Sequence, residues 1–236
     1  LDLQTVSASA TGSALAGAVG VAGSGSSITL TRAAKASTGT GVVLAGSALT
    51  LASRVGTDND NIVSIANASS GGLLVGANGV TSIVSVGDIA DSRIGSGNTI
   101  TITGALGITA ENSNHLQSKA LGKAAGGLAS VGISINTVDI ATTTYAGIDG
   151  AASLDLTKII TTASLNLNAY NHATHYLETA AGAGALGGAI VGVTSTLNNR
   201  AITHALIGNN VKVAGSGVIS LVAIDEQINS SITTGS

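Results

Sequence analysis

Apolar and polar residues alternate along most of this chain. One alternating run consists of Ile100, Ile102, Leu106 and Ile108, with Thr, Gly or Ala between its members. An alternation of period two that uses Val, Ile and Thr is typical of a strand with one buried face. Clusters of Gly, Asn, Asp and Ser, which turn without proline, interrupt the runs at 23–26, 56–61, 95–98 and 208–210. The pattern predicts an all-β chain.

Two sequence marks recur at a nearly constant spacing. A Val-Gly pair after an Ala/Gly-rich stretch starts at 19, 75, 131 and 191. An apolar-x-apolar pattern closing on Ala starts at 49, 106, 165 and 219. Because the marks keep step, we predict about four copies of a unit of about 57 residues. The units are approximately 1–48, 49–105, 106–164, 165–223 and a partial copy at 224–236.

The size of the unit leads to a prediction of the fold. A unit of about 57 residues divides into three parts of about 19, and a part of that size suits one coil of a parallel β-helix. We therefore predict one continuous, single-stranded parallel β-helix (β-solenoid) of about 12 coils. Equivalent inward side chains would stack about 4.8 Å apart, giving a rod about 60 Å long.

The composition is consistent with a narrow interior. Apolar residues make up 44% of the chain and are mostly Ala, Val, Ile and Leu; there are 33 Gly and 3 Tyr, and no Phe, Trp, Pro, Met or Cys. Wide globular cores usually contain aromatic residues, because these bury the most area each. The absence of Cys excludes disulfides, thiolate catalysis and Cys-based zinc sites.

The low charge content argues against binding through a basic surface. Charged residues are 9% of the chain and the formal net charge is −3, so there is no basic stripe for nucleic acid or for an anionic membrane surface. The uncharged stretch 179–197 carries Gly188 and Gly192 at the spacing that packed transmembrane helices use. It is rich in Gly, which weakens a helix, and in Gly and Ala together, which are less apolar than the residues of a typical membrane span. We therefore predict a strand and no membrane span.

Two groups of residues could bind a metal ion. His172 and His175 are three apart, which places them on opposite faces of a strand. We therefore interpret them as surface residues of a turn. The run Asp58 to Asn61 alternates carboxylate and amide oxygens on a predicted loop, where weak calcium binding is the alternative to a solvated turn.

Carboxylates that could cleave a polysaccharide are the next possibility, because many β-helix proteins are such enzymes. Asp139, Asp149 and Asp155 are candidates, but Lys158 is the only basic residue near them in sequence. Such a site needs converging acid and base groups. With so few aromatic residues to stack sugar rings, an active cleft would be difficult to build. We predict that the chain is not an enzyme.

Rows of threonine are the remaining pattern. Thr29 with Thr31, Thr99 to Thr103, and Thr142 to Thr144 could form outward rows like those of ice-binding solenoids, but they do not recur in every unit. The sequence therefore predicts no catalytic, cofactor-binding or metal-binding residue and no cofactor.

Two longer strings carry a resemblance to a known family. AAGAGALGGAIVGVTSTLNN (180–199) and AITHALIGNNVKVAGSGVISLVA (201–223) resemble the repeats of very large bacterial exoproteins. These are the filamentous-haemagglutinin-like adhesins, including a leukotoxin-type branch, usually of the two-partner secretion kind. The resemblance implies a right-handed β-helix, export through a partner pore and a place at the cell surface. Repeats of this sort are generally stalk, so the resemblance assigns no functional residue.

The expected function is therefore structural. We expect a fibre or stalk segment of a secreted bacterial surface adhesin or extracellular filament. Its partners would be flanking solenoid of the same long chain, or further copies assembled head to tail or laterally. A face that binds cell-surface glycans or proteins is the first alternative, and a polysaccharide-cleaving β-helix enzyme is the second.

Overall fold

The computed structural model describes residues 5–57, 60–150, 157–161 and 163–236 of the chain. Every regular element in these ranges is a strand, so the all-β prediction is confirmed. The strands are β1 (Thr5–Ala16), β2 (Val19–Ser37), β3 (Val43–Gly46), β4 (Leu49–Val55), β5 (Asn61–Gly72), β6 (Val75–Ile94), β7 (Thr99–Ile102), β8 (Ala105–Gly126), β9 (Ala129–Ile148), β10 (Thr157–Thr161), β11 (Ser164–Ala185), β12 (Gly188–Ile207), β13 (Val211–Ala214) and β14 (Val218–Gly235).

The strands form three stacked parallel sheets. Sheet A has the order β1-β5-β8-β11-β14, and β4 pairs with the first part of β8 beside β5. Sheet B has the order β12-β9-β6-β2, and sheet C has the order β13-β10-β7-β3. All pairings among the described strands are parallel, which is the arrangement of a β-solenoid.

The register between layers corrects the predicted coil. Val19 pairs with Val75, Ala105 with Ser164, and Thr157 with Val211, so each strand lies on its equivalent one whole repeat away. The predicted division of each unit into three coils, and hence the total of about 12 coils, is wrong for the described chain. One whole unit makes one layer, because β8 and β11 run for 22 residues and β6, β9 and β12 for 20 without a turn.

The same correction applies to two smaller predictions. The expected turn at 23–26 lies inside β2, where Gly23 and Gly25 are paired with β6 as ordinary strand residues. The predicted length of the rod is also wrong. Strands stack about 4.8 Å apart and extend about 3.3 Å per residue, so five layers of sheet A stack to about 20 Å, whereas a 22-residue strand is about 70 Å long. The longer dimension of this stack lies along the strands.

Each coil folds back on itself. β8 is followed by the two-residue turn 127–128 and by β9, which brings sheet B back over sheet A. Turns at 17–18, 73–74 and 186–187 do the same in the other coils, and we call this edge of the stack the arch end. The short strands of sheet C close the opposite edge, which we call the wide end. The stretch 179–197 lies in β11 and β12 and the turn between them, as predicted, and no helix in the described residues is long and apolar enough to cross a membrane.

Buried side chains become smaller from the wide end toward the arch end. At the wide end the core consists mainly of large aliphatic side chains, including Ile94, Ile100, Leu106, Ile148 and Leu165. The middle combines Ile, Leu and Val, and the arch end is built mainly from Ala, namely Ala22, Ala66, Ala68 and Ala120, with Val80. Since two sheets approach more closely across small side chains, this gradient lets one tight turn join long strands.

Hydroxyl groups connect the two long sheets between the apolar clusters. Hydrogen bonds join Ser26 to Ser64 at 2.8 Å, Ser64 to Ser82 at 2.8 Å and Ser82 to Ser118 at 2.9 Å. The Ser118 hydroxyl then donates to Asn136 Oδ1 at 2.6 Å. Because the participants alternate between sheet B and sheet A, the interior carries a buried polar ladder that rises through three layers.

Gly76 should be irreplaceable near the arch. A Cβ on Gly76 would overlap the carbonyl oxygen of Ala125 in the facing strand, whereas a Cβ on Gly79 of the same strand would meet nothing within 4 Å. We expect Gly76→Ala to lower the free energy of unfolding by about 1–3 kcal/mol or more, because the backbones of β6 and β8 would have to move apart to admit the added methyl group. Gly79→Ala, the matched control, should be neutral or slightly stabilising. Urea denaturation of both variants checks this, and equal effects would contradict the tight approach.

Candidate functional site

The loop at 58–61, for which weak calcium binding was the alternative to a solvated turn, directs the Asp60 carboxylate into the protein. Asp58 and Asn59 lie outside the described residues, and Asn61 is exposed at the start of β5. Asp60 is buried: its Oδ1 accepts a hydrogen bond from Thr57 Oγ1 at 2.9 Å, and its Oδ2 accepts one from Arg32 Nη1 at 2.8 Å. Since both oxygens already have donors, the Asp60 carboxylate is not free to serve a cation in the loop.

Arg32 belongs to a buried ion-pair cluster that the sequence interpretation missed. Its Nε donates to Asp88 Oδ1 at 3.0 Å and its Nη2 to Asp88 Oδ2 at 2.7 Å, and the Arg32 and Asp88 side chains are at most 3% exposed. Burial by itself would lower the pKa of Arg32, but hydrogen bonding and the charge of Asp88, and then Asp60, raise it above its ordinary value. The cluster ties the first coil to the second.

The cluster could have been found from the pattern. Arg32 continues the inward face of Ile28 in β2, and Asp88 continues the inward face of Val84 in β6. The two charges occupy equivalent positions, one repeat apart, in paired strands. Removing one partner of such a buried pair is strongly destabilising, so its function is to hold layers together. Gly56, at φ +72°, turns the chain beside the guanidinium, where a Cβ would lie 3.2 Å from both Nη atoms.

His172 and His175 lie on opposite faces of β11, as their spacing predicts, but neither is in a turn. His172 is on the outer face and His175 is buried. The ring of His175 is hydrogen-bonded to Asn229 through Nδ1 and to Asn114 through Nε2, each at 2.8 Å. They cannot share a metal ion, and no group of three His, Cys, Asp or Glu in the described part of the chain could hold one.

The two candidate catalytic carboxylates that the structure describes, Asp139 and Asp149, do not converge. Asp139 lies on β9, where Arg200 Nη2 donates to it at 2.9 Å, and Asp149 follows the end of the same strand. Ten residues of extended chain separate them by about 33 Å, far more than the roughly 5–10 Å between paired glycosidase carboxylates. Asp155 is outside the described residues, and Lys158 is exposed on β10.

The threonine rows are not a continuous outward face. Thr142 and Thr144 are buried between the sheets, whereas Thr143 points outward. Residues 142–144 therefore do not form the outward row that was considered for them, since neighbouring residues of a strand face opposite ways.

The outer face of sheet A carries an unusual cluster, which we call the sheet A cluster. It consists of Arg54, Glu111, Lys119, Tyr170, His172, Tyr176, Glu178 and Glu226. Ion pairs join Arg54 to Glu111 and Lys119 to Glu178 across neighbouring layers, each at 2.9 Å. His172 Nδ1 lies 3.2 Å from Glu226 Oε2 of the next layer. The rings of Tyr170 and His172 are stacked at 6.3 Å, and Lys119 Nζ lies 5.5 Å from the Tyr176 ring.

The sheet A cluster has a structural and a binding interpretation. Partly exposed ion pairs contribute at most about 1 kcal/mol each, so they add modestly to layer stacking. Glu111, His172, Thr174 and Glu226 also line a shallow cleft together with Ile228. The cleft supplies hydrogen-bonding groups, and Tyr170 and Tyr176 on the same strand supply aromatic rings on which a ligand could stack.

The third tyrosine lies on the outer face of sheet B. The Arg93 guanidinium lies 4.6 Å from the Tyr145 ring centroid and forms ion pairs with Asp91 at 2.7 Å and Asp149 at 3.5 Å. Burial, followed by the negative charge of Asp149, raises the pKa of Tyr145, and the hydrogen bond to Asp91 raises the pKa of Arg93. The single Arg93 charge is shared by two carboxylates and lies over the Tyr145 ring, so this smaller cluster stabilises the end of the strand.

Comparisons of the chain with protein-family models, curated proteins and solved structures found no match. The resemblance to filamentous-haemagglutinin-like repeats therefore stays a prediction from the sequence. Functional inference depends on the surfaces and interior just described.

His175 predicts a pH dependence of stability. Burial, with a smaller contribution from the charge of His115, lowers the pKa of His175 below 6.5 despite its hydrogen bond to Asn229. At pH values below about 6.5 the unfolded chain then binds more protons than the folded chain. The free energy of unfolding should therefore decrease as the pH is lowered, by up to about 1.4 kcal/mol per pH unit. Above pH 6.5 this contribution is complete.

The measurement is urea denaturation between pH 7 and 5. We expect His175→Gln, which cannot titrate, to remove much of the slope, and His172→Gln on the outer face to retain it. Identical slopes for the wild type and His175→Gln would contradict a buried neutral imidazole.

Proposed function

We propose that this chain is a structural segment of an extracellular β-solenoid fibre or stalk, of the kind found in filamentous-haemagglutinin-like bacterial surface adhesins. One observation carries the proposal: a layer is sealed only when another lies on each side of it. Leu165 and Leu167 in β11 are fully buried, whereas Ile219 and Leu221, their register partners in the edge strand β14, are 52% and 44% exposed. A further layer would bury them and pair the free edge.

The partner that supplies this layer is solenoid of the same kind. It is either flanking repeats of the same long chain or another copy of this one, stacked head to tail. We infer a right-handed winding from the sequence resemblance. Export and a place at the bacterial cell surface follow from the same resemblance, and a chain without Cys is suited to passage through a pore in an unfolded state. The repeating layers provide length and rigidity without chemistry.

Electron microscopy of the purified chain tests the stacking. We expect elongated particles that lengthen with concentration, because free edges pair. Leu221→Lys should shorten them at least several-fold by placing a charge in the interlayer contact. Ile83→Lys is the matched control, since Ile83 is 45% exposed on the outer face of sheet B, away from the free edge. Compact single particles at all concentrations, or equal effects of both variants, would count against the proposal.

A glycan-binding adhesive face is the second candidate function, and the sheet A cluster favours it. Tyr170, His172 and Tyr176 alternate along one outer strand face, although aromatic residues are only 1% of the chain. Sugar rings stack on tyrosine, and their hydroxyls bond to carboxylates and imidazole. His172 of the cleft is stacked with the Tyr170 ring at 6.3 Å and lies 3.2 Å from Glu226, so a ring, an imidazole and a carboxylate are grouped there.

A glycan array with the whole chain tests this second function. We expect binding that Tyr170→Ala and Tyr176→Ala each reduce at least tenfold. Tyr145→Ala, which changes the tyrosine of sheet B, should leave it unchanged. Silence of the wild type across the array would eliminate the glycan face, while the fibre proposal would stand.

A further inference from the structure

Exposed leucines line the arch end of the stack. Leu15, Leu73, Leu128 and Leu186 are 91%, 73%, 59% and 96% exposed, and Leu74 beside them is partly exposed. Each of the four coils contributes at least one of these five residues, which we call the leucine crest. They lie in or next to the turns at 17–18, 73–74, 127–128 and 186–187. Since turn residues are usually polar, a repeated leucine at this position needs an explanation.

The arch half of every coil is almost uncharged. The segments 5–31, 61–87 and 179–199 contain no Asp, Glu, Lys or Arg, and 120–138 contains Lys123 alone. Along β1, β2, β5, β6 and β12 this zone is about twelve residues long and extends about 40 Å from the crest. Along β11 it is seven residues long, or about 23 Å. The charged clusters described above all lie farther from the turns, apart from Lys119 and Glu178 at the inner limit of the zone.

Apolar surface continues from the crest onto the outer face of sheet B. One column of equivalent positions across the layers there contains Val21, Val131 and Ile190, with Ala77 between the first two. The exposed side chains of Val19 and Ile133 extend this patch in each direction along the strands. On the sheet A side, small residues form an apolar groove between Leu15 and Leu73; it is lined by 15–17, 71–73 and 125–127. The crest is thus the rim of a larger apolar region.

Several backbone amides of the crest are hydrogen-bonded to a neighbouring coil. Leu74 N donates to Ala18 O at 2.9 Å, and Leu128 N donates to Leu74 O at 2.9 Å. In the last turn Leu186 N donates to Gly127 O and Gly187 N to Leu128 O, each at 3.1 Å. Backbone hydrogen bonds therefore join each of these turns to the turn of the neighbouring coil. Because these amides are paired internally, the crest can enter an apolar phase without leaving them unsatisfied there.

The shape of the crest selects among possible occupants. A stable protein interface needs roughly 800 Å² of complementary surface on each partner. A lipid layer has no fixed shape, so it accepts protruding leucine side chains without a complementary partner surface. Lys123, exposed on sheet A three residues before the end of β8, is placed to reach anionic headgroups while the leucines lie deeper.

We propose that the arch end binds the surface of a lipid bilayer, inserting the leucine crest into the boundary between headgroups and acyl chains. The stack would lie against the membrane by this edge, without spanning it. The inserted depth is that of the crest and its first outward neighbours, in the range of about 5–10 Å typical of interfacial elements. This role goes beyond the fibre proposal, because a stalk needs no lipid contact.

Flotation of the whole chain with vesicles tests the inference. We expect the wild type to float with vesicles of phosphatidylcholine and phosphatidylglycerol, and Leu73→Ser/Leu186→Ser to lower the partition coefficient at least tenfold. Val43→Ser is the matched control, because Val43 is 80% exposed at the wide end. All these side chains are largely exposed, so circular dichroism should show an unchanged fold.

A fluorescence readout distinguishes insertion from adsorption. The chain has no Trp, so Leu128→Trp provides a single reporter whose emission should shift to the blue with vesicles and be quenched by brominated acyl chains. Val43→Trp should show neither effect. Failure of the wild type to float, equal loss in the Val43→Ser control, or crest-dependent dimers in lipid-free light scattering would overturn the inference. None of these results would affect the layer stacking tested by microscopy.

Discussion

In-register packing of equivalent side chains, one repeat apart, is the interaction on which this structure depends. Leu49, Leu106, Leu165 and Ile219 form one such column, and every parallel pairing extends the same rule to the backbone. A column tolerates little change of size or polarity, because each member contacts the one below and the one above. Ser64 and Ser118 keep a hydroxyl at one level, and Arg32 is accepted in the interior because Asp88 occupies the equivalent position of the next layer.

Length along the strand is the second constraint, and it produces the two different ends. Large aliphatic side chains separate three sheets at the wide end, and alanine and glycine let two sheets converge at the arch. Charge follows the same division, since the convergent half has almost none. Each repeat therefore specifies part of the interior and part of the apolar edge, and stacking extends both from layer to layer. The tyrosines of the sheet A cluster lie in β11 alone, and their register partners are not aromatic.

Part of this could be predicted from the sequence. Period-two alternation correctly indicated strands, and the mark beginning at Leu49 correctly identified residues that stack, because both depend on local pattern and on simple repetition. The coil length could not be derived in the same way. Gly23 and Gly25 have the composition of a turn, but partners in β6 hold them in an extended strand, and only that pairing distinguishes one coil from three. The alternation alone places Arg32 on an inward face, but the partners that make the burial of Arg32 and His175 acceptable are distant in the chain and become neighbours only when the layers stack.

The most direct test of the account is the distance between the two ends of one long strand. Because the chain has no Cys, spin labels can be attached specifically through Ala105→Cys and Ala125→Cys, both at exposed positions of β8. A continuous strand between these positions predicts about 65 Å between the labels in pulsed dipolar EPR. A distance below about 20 Å, as three short coils per repeat would give, would contradict the one-repeat, one-layer arrangement.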